Sequence, residues 1–518
     1  MGSSWTKFRS QCKTRLSALA RSIHLGRGGW RARYYEVRRC LQESLGRIAQ
    51  LEASRTGLEG ENARLQERIH ELETQLAQPQ PWKLPLGDVP RWQQYGAGQI
   101  ELCVNLARVI GLRPTSRVLR IVFDWLGVKV KIPTYETIRN WMQRIGLDRM
   151  RNAKKVPGGV WLVDHTNQIG KEKVLAVLRV PEAKLSRWKG PLRHQDVEVL
   201  EVMPGEAWKR EDMAKVYQKL AEEYGQPRSI VSDGAVELRE PAETLGTPQE
   251  RPLVIRDAKH LLANKFEALL SGDPQYQAFA KQLGGMRSAL QQTELASFIP
   301  RAFKPKARFM NLKPVIHWAQ TALWHLDHPE SESRKGITED RFEEKLGWLR
   351  PFASSIQKWQ ACQEVVSIAL TFINENGIFR GAAKQCQKLL AHIEPYSMSQ
   401  RLANTIVECL RQYEPKLRPN ERLPMSTEIL ESSFALYKQL EKQHSRSGFT
   451  SLILTFPTLL RPTTSKEVAA SFRRIKVADV RQWTKTHLIN TVTAKRQRVY
   501  REARNKTQNS ATSKAAAA

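Results

Sequence analysis

The middle of the chain alternates between short apolar runs, most of them ending in a polar residue, and longer amphipathic stretches. Three runs predict strands in succession: VWLVD (160–164), KVLAVLRV (173–180) and VEVLEVMP (197–204). SIVSDG and PLVIRD (252–257) predict two more, with a helix EDMAKVYQKLAEEYG before them and a helix AKHLLANKFEALL after them. Short apolar runs bounded by turn residues are typical of buried strands. We therefore predict a sheet with flanking helices over residues 151–270.

The apolar spacing changes to that of helices beyond this region. Residues 271–415 read as an all-helical segment that contains Trp318, Trp324, Trp348 and Trp359. Residues 416–465 follow, and the stretch MSTEILESSFALYKQLEKQ (425–443) predicts a further helix there. The helical segment is thus expected to interrupt the domain that carries the sheet.

A seven-residue repeat near the start of the chain predicts a coiled coil over residues 41–78. Leucine recurs at every seventh position, and Asn62 takes the a position of one heptad, which favours a parallel pair of helices. The alternative is one amphipathic helix packed on its own domain. The residues expected to hold a homodimer or larger homo-oligomer together are Leu51, Leu58, Asn62, Leu65, Ile69 and Leu72.

A proline-rich linker (79–90) separates this coiled coil from residues 91–150, which predict three short helices. The apolar face of the second is expected to comprise Val118, Leu119, Val122, Phe123 and Leu126. Pro133 and Thr134 cap the third helix. We interpret the three as a helix-turn-helix DNA-binding domain, with a plain helical bundle as the alternative. The residues expected to reach a DNA groove are Thr134, Tyr135, Thr137, Arg139 and Asn140.

The net charge of the chain indicates which class of molecule it binds. The 518 residues carry 83 Lys and Arg against 52 Asp and Glu, a formal net charge of +31. Nucleic acid is the expected acidic partner, ahead of an anionic membrane surface, and no apolar run approaches the ~20 residues of a membrane span. The basic arm over 1–40 is expected to bind phosphate, with an organelle transit peptide as the alternative. The basic tail over 466–518 carries Lys495, Arg496 and Arg498 for the same task.

Several common kinds of site are not indicated. The six cysteines are scattered without a CxxC pair, which argues against a zinc knuckle or a disulfide framework. The sequence has no GxGxxG and no GxxxxGK[ST], so a Rossmann dinucleotide site or a P-loop ATPase is not expected.

Among the predicted strands that end in a carboxylate, two supply the candidates for metal ligands. Asp164 and Asp233 each follow a buried run, whereas a single Asp at such a place is usually a turn residue. Phosphodiester chemistry with two Mg²⁺ ions needs shared oxygen ligands and at least three carboxylates. The third is expected to be Glu431, with Glu428 as the fallback one turn earlier.

These residues together resemble a known family. Three antiparallel strands, a helix and then strand–helix–strand resemble an RNase H-like core, and the chain resembles a DDE-type DNA transposase of an insertion sequence over roughly residues 90–465. Glu431 is followed after six residues by Lys438, similar to the family's signature, although Thr427 and Pro424 stand where that signature has Arg and Tyr. Asp257-Ala258-Lys259-His260 resembles the D-x-x-H motif of hAT- and RAG-like transposases.

The resemblance implies a multidomain α+β protein: an RNase H-like α/β/α catalytic core interrupted by an all-α insertion, behind a coiled coil and a helix-turn-helix domain. It implies that Asp164, Asp233 and Glu431 hold two Mg²⁺ ions, with Mn²⁺ as a substitute, and that His260, Asp257 and Lys438 support them. The protein would bind double-stranded DNA at terminal inverted repeats, cleave it and join it to target DNA, in a bacterial cytoplasm and on the nucleoid. The alternatives are a catalytically silent DNA-binding regulator and an RNase H-like nuclease without strand transfer.

Overall fold

The computed structural model describes residues 10, 13–14, 16–17, 30–77, 86–91, 93–167, 172–188, 190–205, 208–300, 312–331, 336–443, 450–489 and 491–516. Most of the basic arm (1–40) and most of the linker (79–90) lie outside the described residues. The chain divides into two units, Met1–Leu84 and Pro85–Ala518.

The first unit contains one long helix, α1 (Trp30–Ala77). Ion pairs one turn apart run along its surface, such as Arg55 to Glu59 at 2.7 Å and Arg68 to Glu71 at 2.6 Å. None of its described side chains is buried. The leucine stripe is therefore solvent-exposed in a single chain: Leu51, Leu58, Leu65, Ile69 and Leu72 are 42–66% exposed.

The second unit begins with three helices, α2 (Ala97–Ile110), α3 (Leu112–Trp125) and α4 (Tyr135–Arg151). Thr134 caps α4 by accepting a hydrogen bond from the backbone N–H of Thr137 at 3.3 Å. The predicted apolar face of α4 is buried: Ile138, Trp141, Met142 and Ile145. The predicted apolar face of α3 is only partly buried. Leu119 and Phe123 are buried, whereas the three other members of that face are exposed: Val118, Val122 and Leu126.

A five-stranded mixed sheet follows, in the order β3-β2-β1-β4-β5. The strands are β1 (Val160–Asn167), β2 (Lys173–Val180), β3 (Glu198–Gly205), β4 (Ser229–Ser232) and β5 (Leu253–Arg256). β2 is antiparallel to both β1 and β3, whereas β4 is parallel to both β1 and β5. The connections contain α5 (Glu182–Leu185), α6 (Arg210–Tyr224) and α7 (Val236–Glu243). Trp161, Val163 and Leu175 from the sheet pack with Tyr217 and Leu220 of α6 in one buried cluster.

The following segment is helical, as its spacing predicts. It contains α8 (Ala258–Ser271), α9 (Pro274–Gln291), α10 (Leu312–Asp327), α11 (Glu339–Leu346), α12 (Ala353–Asn376), α13 (Ala382–Leu390) and α14 (Ser397–Tyr413). A 3-10 turn, Gly347–Phe352, divides α11 from α12 at Pro351, which lacks the backbone N–H that a continuous helix needs. Trp359 is fully buried against Phe279 and Tyr276, so it belongs to the core of this segment.

The chain then returns to the sheet with α15 (Glu428–Lys442), which contacts β1. The remaining helices are α16 (Phe456–Leu460), α17 (Ser465–Arg474), α18 (Val477–His487) and α19 (Val492–Ala516). α16, α17 and α18 pack on α4, where Arg149 pairs with Glu467 at 2.8 Å and Asp148 with Arg474 at 2.6 Å. The segment expected to be a basic tail thus begins with two packed helices. Among the described residues, no helix is long and apolar enough to cross a membrane.

Candidate active site

Asp164 is the fifth of the eight residues of β1, the central strand of the sheet, which therefore continues for three residues beyond the predicted end at Asp164. β1 and β4 are parallel and in register, Val160 level with Ser229 and Leu162 with Val231. The same register, continued by two residues, brings Asp164 level with Asp233. The side chain of Asp164 is 13% exposed, and its Oδ1 accepts a hydrogen bond from the backbone N–H of His165 at 2.7 Å. Burial, with repulsion from Asp233, raises the pKa of Asp164 to about 6.

Asp233 begins the turn after β4. Its Oδ1 accepts a hydrogen bond from the backbone N–H of Ala235 at 2.8 Å. Gly234 has φ +87°, and a Cβ there would lie 3.0 Å from the side chain of Arg256, so glycine suits both the backbone and the space. The turn holds the carboxylate at the edge where Asp164 lies.

Glu431 lies in the first turn of α15. Its Oε2 lies 2.5 Å from the Nζ of Lys259, near the start of α8. Glu428 is exposed and accepts a hydrogen bond from the Nδ2 of Asn374 at 2.7 Å. Lys438, two turns further along α15, donates to the Oγ1 of Thr166 on β1 at 2.6 Å. The helix is thereby fixed against the strand that carries Asp164.

Asp257 and His260 form the link between α8 and α15. Asp257 is completely buried and caps α8, where its Oδ1 accepts from the backbone N–H of His260 at 2.7 Å and pairs with His260 Nδ1 at 3.0 Å. Its Oδ2 accepts from the backbone N–H and the hydroxyl of Thr427, at 2.5 and 3.0 Å. One buried carboxylate therefore fixes the first turn of α8 against the residue that precedes α15.

His260 is held in its charged form. The hydrogen bond to Asp257, together with the carboxylates of Asp257, Asp164 and Glu431, raises its pKa to about 9 against the lowering effect of burial. Burial alone raises the pKa of Asp257, yet the hydrogen bonds from His260 and Thr427 bring it below its ordinary value. Since His260 interacts with both Asp164 and Glu431, acids from distant parts of the chain share one imidazolium.

The donor set can be compared with what a metal ion requires. Asp164 and Asp233 offer the hard carboxylate oxygens that Mg²⁺ prefers, and the mutual repulsion that raises the Asp164 pKa is what a cation would relieve. The described residues nevertheless contain no group of three or more His, Cys, Asp or Glu arranged to hold a metal ion. Glu431 is paired with Lys259 instead. The two aspartates thus suit a cation, and the third acid is neutralised by a lysine.

The residues expected to read DNA lie at the start of α4. Thr134 and Asn140 are exposed, and Tyr135, Thr137 and Arg139 are half-buried. The hydroxyls of Thr134 and Thr137 lie 3.0 Å apart within the cap, and the Arg113 guanidinium lies 5.0 Å from the centre of the Tyr135 ring.

The basic residues of the tail lie on α19. Lys495, Arg496 and Arg498 are exposed there. Buried Glu172, just before β2, accepts a hydrogen bond from the backbone N–H of Val492. Lys173, the next residue, pairs with Asn167 at the end of β1. α19 therefore begins close to the strand that carries Asp164.

Sequence reasoning missed two residues of this site. Lys259, the partner of Glu431, lies inside the Asp257-Ala258-Lys259-His260 motif, so its position beside the other motif residues was the available signal. Thr427 stands out in the sequence only as a departure from a signature. Its hydrogen bonds to Asp257 depend on an approach of distant parts of the chain that no local pattern indicates.

Comparison with known proteins gives little to add. No family model matches the chain, and no curated protein matches it. One solved structure that resembles it is described as "Drosophila P element transposase strand transfer complex", at 11% sequence identity and a TM-score of 0.38, covering 80% of this chain and 100% of that one.

Proposed function

We propose that this protein is a DNA transposase. It would bind the terminal inverted repeats of its element, hydrolyse a phosphodiester at each end and free a 3′-hydroxyl. That hydroxyl would then attack target DNA by in-line transesterification, without a covalent protein intermediate and without ATP.

One observation carries the proposal. Asp164 on β1 is level with Asp233, which follows the parallel strand β4, and Glu431 of α15 interacts with the imidazolium that also interacts with Asp164. Carboxylates gathered from strand ends and a distant helix are the donor set of a metal-dependent phosphoryl-transfer site. The sheet order β3-β2-β1-β4-β5 and the helices α9 to α14 support an RNase H-like core with a helical insertion.

The side chains have distinct tasks in this proposal. Asp164, Asp233 and Glu431 would hold two Mg²⁺ ions, or Mn²⁺, which would activate the attacking oxygen and stabilise the leaving oxygen. His260 keeps a positive charge beside the acids and can neutralise a phosphate oxygen, while Asp257 fixes the orientation of its ring. Lys438 ties α15 to β1 through Thr166. Lys259 neutralises Glu431 until another cation takes its place.

DNA would be held by surfaces outside this site. The exposed start of α4 would contact the repeats, and Lys495, Arg496 and Arg498 on α19 would contact phosphates. The leucine stripe of α1 would pair two copies, because it exposes five large apolar side chains at heptad spacing.

The test uses labelled DNA from both sides of the protein's own gene, incubated with purified protein and Mg²⁺ or Mn²⁺. We expect cuts at matched inverted repeats and joined products. Glu431→Gln should abolish cutting, whereas the matched control Glu428→Gln, one turn away and bonded to Asn374, should retain it. Asp164→Ala should lose cutting while binding to the ends survives.

Other outcomes select the alternatives. Specific binding without cutting under either metal would indicate a catalytically silent regulator. Hydrolysed ends without joined DNA would indicate a nuclease without strand transfer. Cutting by Asp164→Ala, or its loss in Glu428→Gln but not in Glu431→Gln, would show that the ligand assignment is wrong.

A further inference from the structure

A cavity of about 770 Å³ lies between α4, α17, the start of α18 and the residues that precede α2. Its volume falls within the range of ligand sites in proteins, about 300–1,000 Å³. The other described side chains of its lining are uncharged, and the charged ones are four cations: Arg91, Arg144, Arg473 and Lys476. Positive charges from separate parts of the chain therefore converge on one space, with no carboxylate among the described lining residues.

Arg144 is the buried member of this set. Its side chain belongs to a residue that is 6% exposed, and its Nε and Nη2 donate to the carbonyls of Ile475 and Phe472 at 2.9 and 3.1 Å. The guanidinium also lies 3.8 Å from the centre of the Phe472 ring. These contacts fix the direction of the side chain but bring no negative charge, and no carboxylate of a described residue forms an ion pair with Arg144. Buried charges in proteins are ordinarily paired, so this cavity lacks an anion.

The acids of the surrounding elements do not supply that anion. Asp148 of α4 and Glu467 of α17 form ion pairs with other arginines. Asp88 and Asp479 lie within three residues of a lining cation in the chain, and neither belongs to the described lining. Asp479 accepts a hydrogen bond from the backbone at the start of α18 at 2.7 Å. Burial lowers the pKa of Arg144, and the attraction of Asp479 offsets this only in part.

We propose that this cavity binds a phosphate group, with Arg144 as its buried donor and Arg473 and Lys476 as donors at its rim. Guanidinium and ammonium groups are the side chains that proteins use for phosphate. Arg473 and Lys476 are exposed, and neither forms an ion pair with a described residue. Val477, the first residue of α18, lines the cavity, so the free backbone N–H groups of that helix end add to the positive potential. The site shares no residue with the candidate active site.

Two sources can supply the phosphate group: the backbone of DNA and a free phosphate ester. The net charge of +31 favours DNA. Arg144 also lies one turn after Asn140, on the helix whose start is expected to contact the terminal repeats. In the DNA case the inference rests on the proposed function, and the cavity would hold a backbone phosphate next to α4. In the other case it is independent of that function.

The first test measures binding of inorganic phosphate to the full chain by isothermal titration calorimetry, in EDTA and at constant ionic strength. Arg473→Gln/Lys476→Gln should raise the Kd for phosphate at least about tenfold, because it removes two charged donors. Lys466→Gln/Arg481→Gln is the matched control, since it removes two exposed cations of the same helices that do not line the cavity, and it should change the Kd less than about twofold. Arg144→Gln is avoided, because it would also remove hydrogen bonds to the backbone. Absence of phosphate binding by the unaltered protein, or equal effects of the two double variants, would overturn the proposal.

The second test identifies the source of the phosphate. Fluorescence anisotropy with duplex DNA is measured across a salt series for both double variants. If DNA supplies the phosphate, Arg473→Gln/Lys476→Gln should lower the slope of log Kd against log salt by about 1 more than the control does, because one backbone phosphate keeps its counterion. If a free phosphate ester is the ligand, the two variants should have equal slopes while only the first loses phosphate binding. Neither measurement involves cutting, so failure of the catalytic proposal would not be mistaken for failure of this one.

Discussion

Asp164 bears an electrostatic cost in the folded chain. Its carboxyl group lies on the central strand, is 13% exposed, and is repelled by the carboxylate of Asp233. The backbone hydrogen bond from His165 and the His260 imidazolium offset only part of this cost. A site that binds a cation accepts this cost in the free protein and recovers it on binding, which is a common feature of functional sites.

We expect Asp164→Asn to stabilise the free protein. The unfolded carboxyl group loses its proton near 3.8 and the folded one near 6, so wild-type stability falls as pH rises between these values. The variant should therefore be more stable by about 1–3 kcal/mol at pH 7.5, with a smaller gain as pH falls below 6. Urea unfolding in EDTA measures this. An unchanged midpoint at pH 7.5 would contradict the account, and Glu428→Gln, an exposed carboxyl group, serves as the control.

The Asp257–His260 pair stabilises the folded chain, whereas Asp164 destabilises it. Hydrogen bonding to Asp257 raises the His260 pKa to about 9, so the stability it contributes is fully present below pH 6.5 and is lost as pH rises to 9. In His260→Gln, the free energy of unfolding should no longer show this fall between pH 6.5 and 9. In NMR titrations the imidazole should show a midpoint near 9 that moves towards 6.5 in Asp257→Asn. A midpoint that stays near 9 in the variant would show that Asp257 is not the cause.

At the scale of the elements, the strands were easier to predict than the helical faces. β2 occupies the predicted residues 173–180, because a short apolar run between turn residues has few alternatives. α3 is different, since Val118, Leu119, Ile121, Val122 and Phe123 form one broad apolar face, of which only Leu119 and Phe123 are buried. Packing on the neighbouring helices, which the sequence of α3 does not contain, selects the buried part.

Helix α4 depends on contacts with the end of the chain. Arg149 is 6% exposed and donates to both carboxylate oxygens of Glu467 and to the carbonyls of Pro457, Arg461 and Pro462. Arg149→Met should destabilise the protein by about 3–5 kcal/mol, because it leaves Glu467 and several carbonyls without their donor. Arg151→Met, at an exposed site on the same helix, should change stability by less than about 0.5 kcal/mol. Chemical denaturation measures the free energy of unfolding of both variants, and equal losses in the two would contradict the argument.

At the scale of the whole molecule, the sequence indicated the parts of the candidate site but not their connections. Asp164 and Asp233 could be placed together because each follows a predicted strand, and strand ends meet at one edge. The approach of Glu431 to Lys259 and of Asp257 to Thr427 joins segments far apart in the chain. Contacts of that kind arise from the packing of α8 on the residues before α15. Local spacing carries no information about them.

The net charge of +31 also acts at the scale of the molecule, and α19 carries part of it at exposed Lys495, Arg496 and Arg498. If Lys495, Arg496 and Arg498 bind phosphates, the triple alanine variant should reduce the slope of log Kd against log salt by up to about 3, because each phosphate left without its cation retains about one counterion. Lys384→Ala/Lys388→Ala/Arg401→Ala removes the same charge from α13 and α14 and should leave the slope nearly unchanged. Fluorescence anisotropy with duplex DNA across a salt series measures both. Equal slopes for the two variants would mean that net charge, rather than α19, binds the DNA.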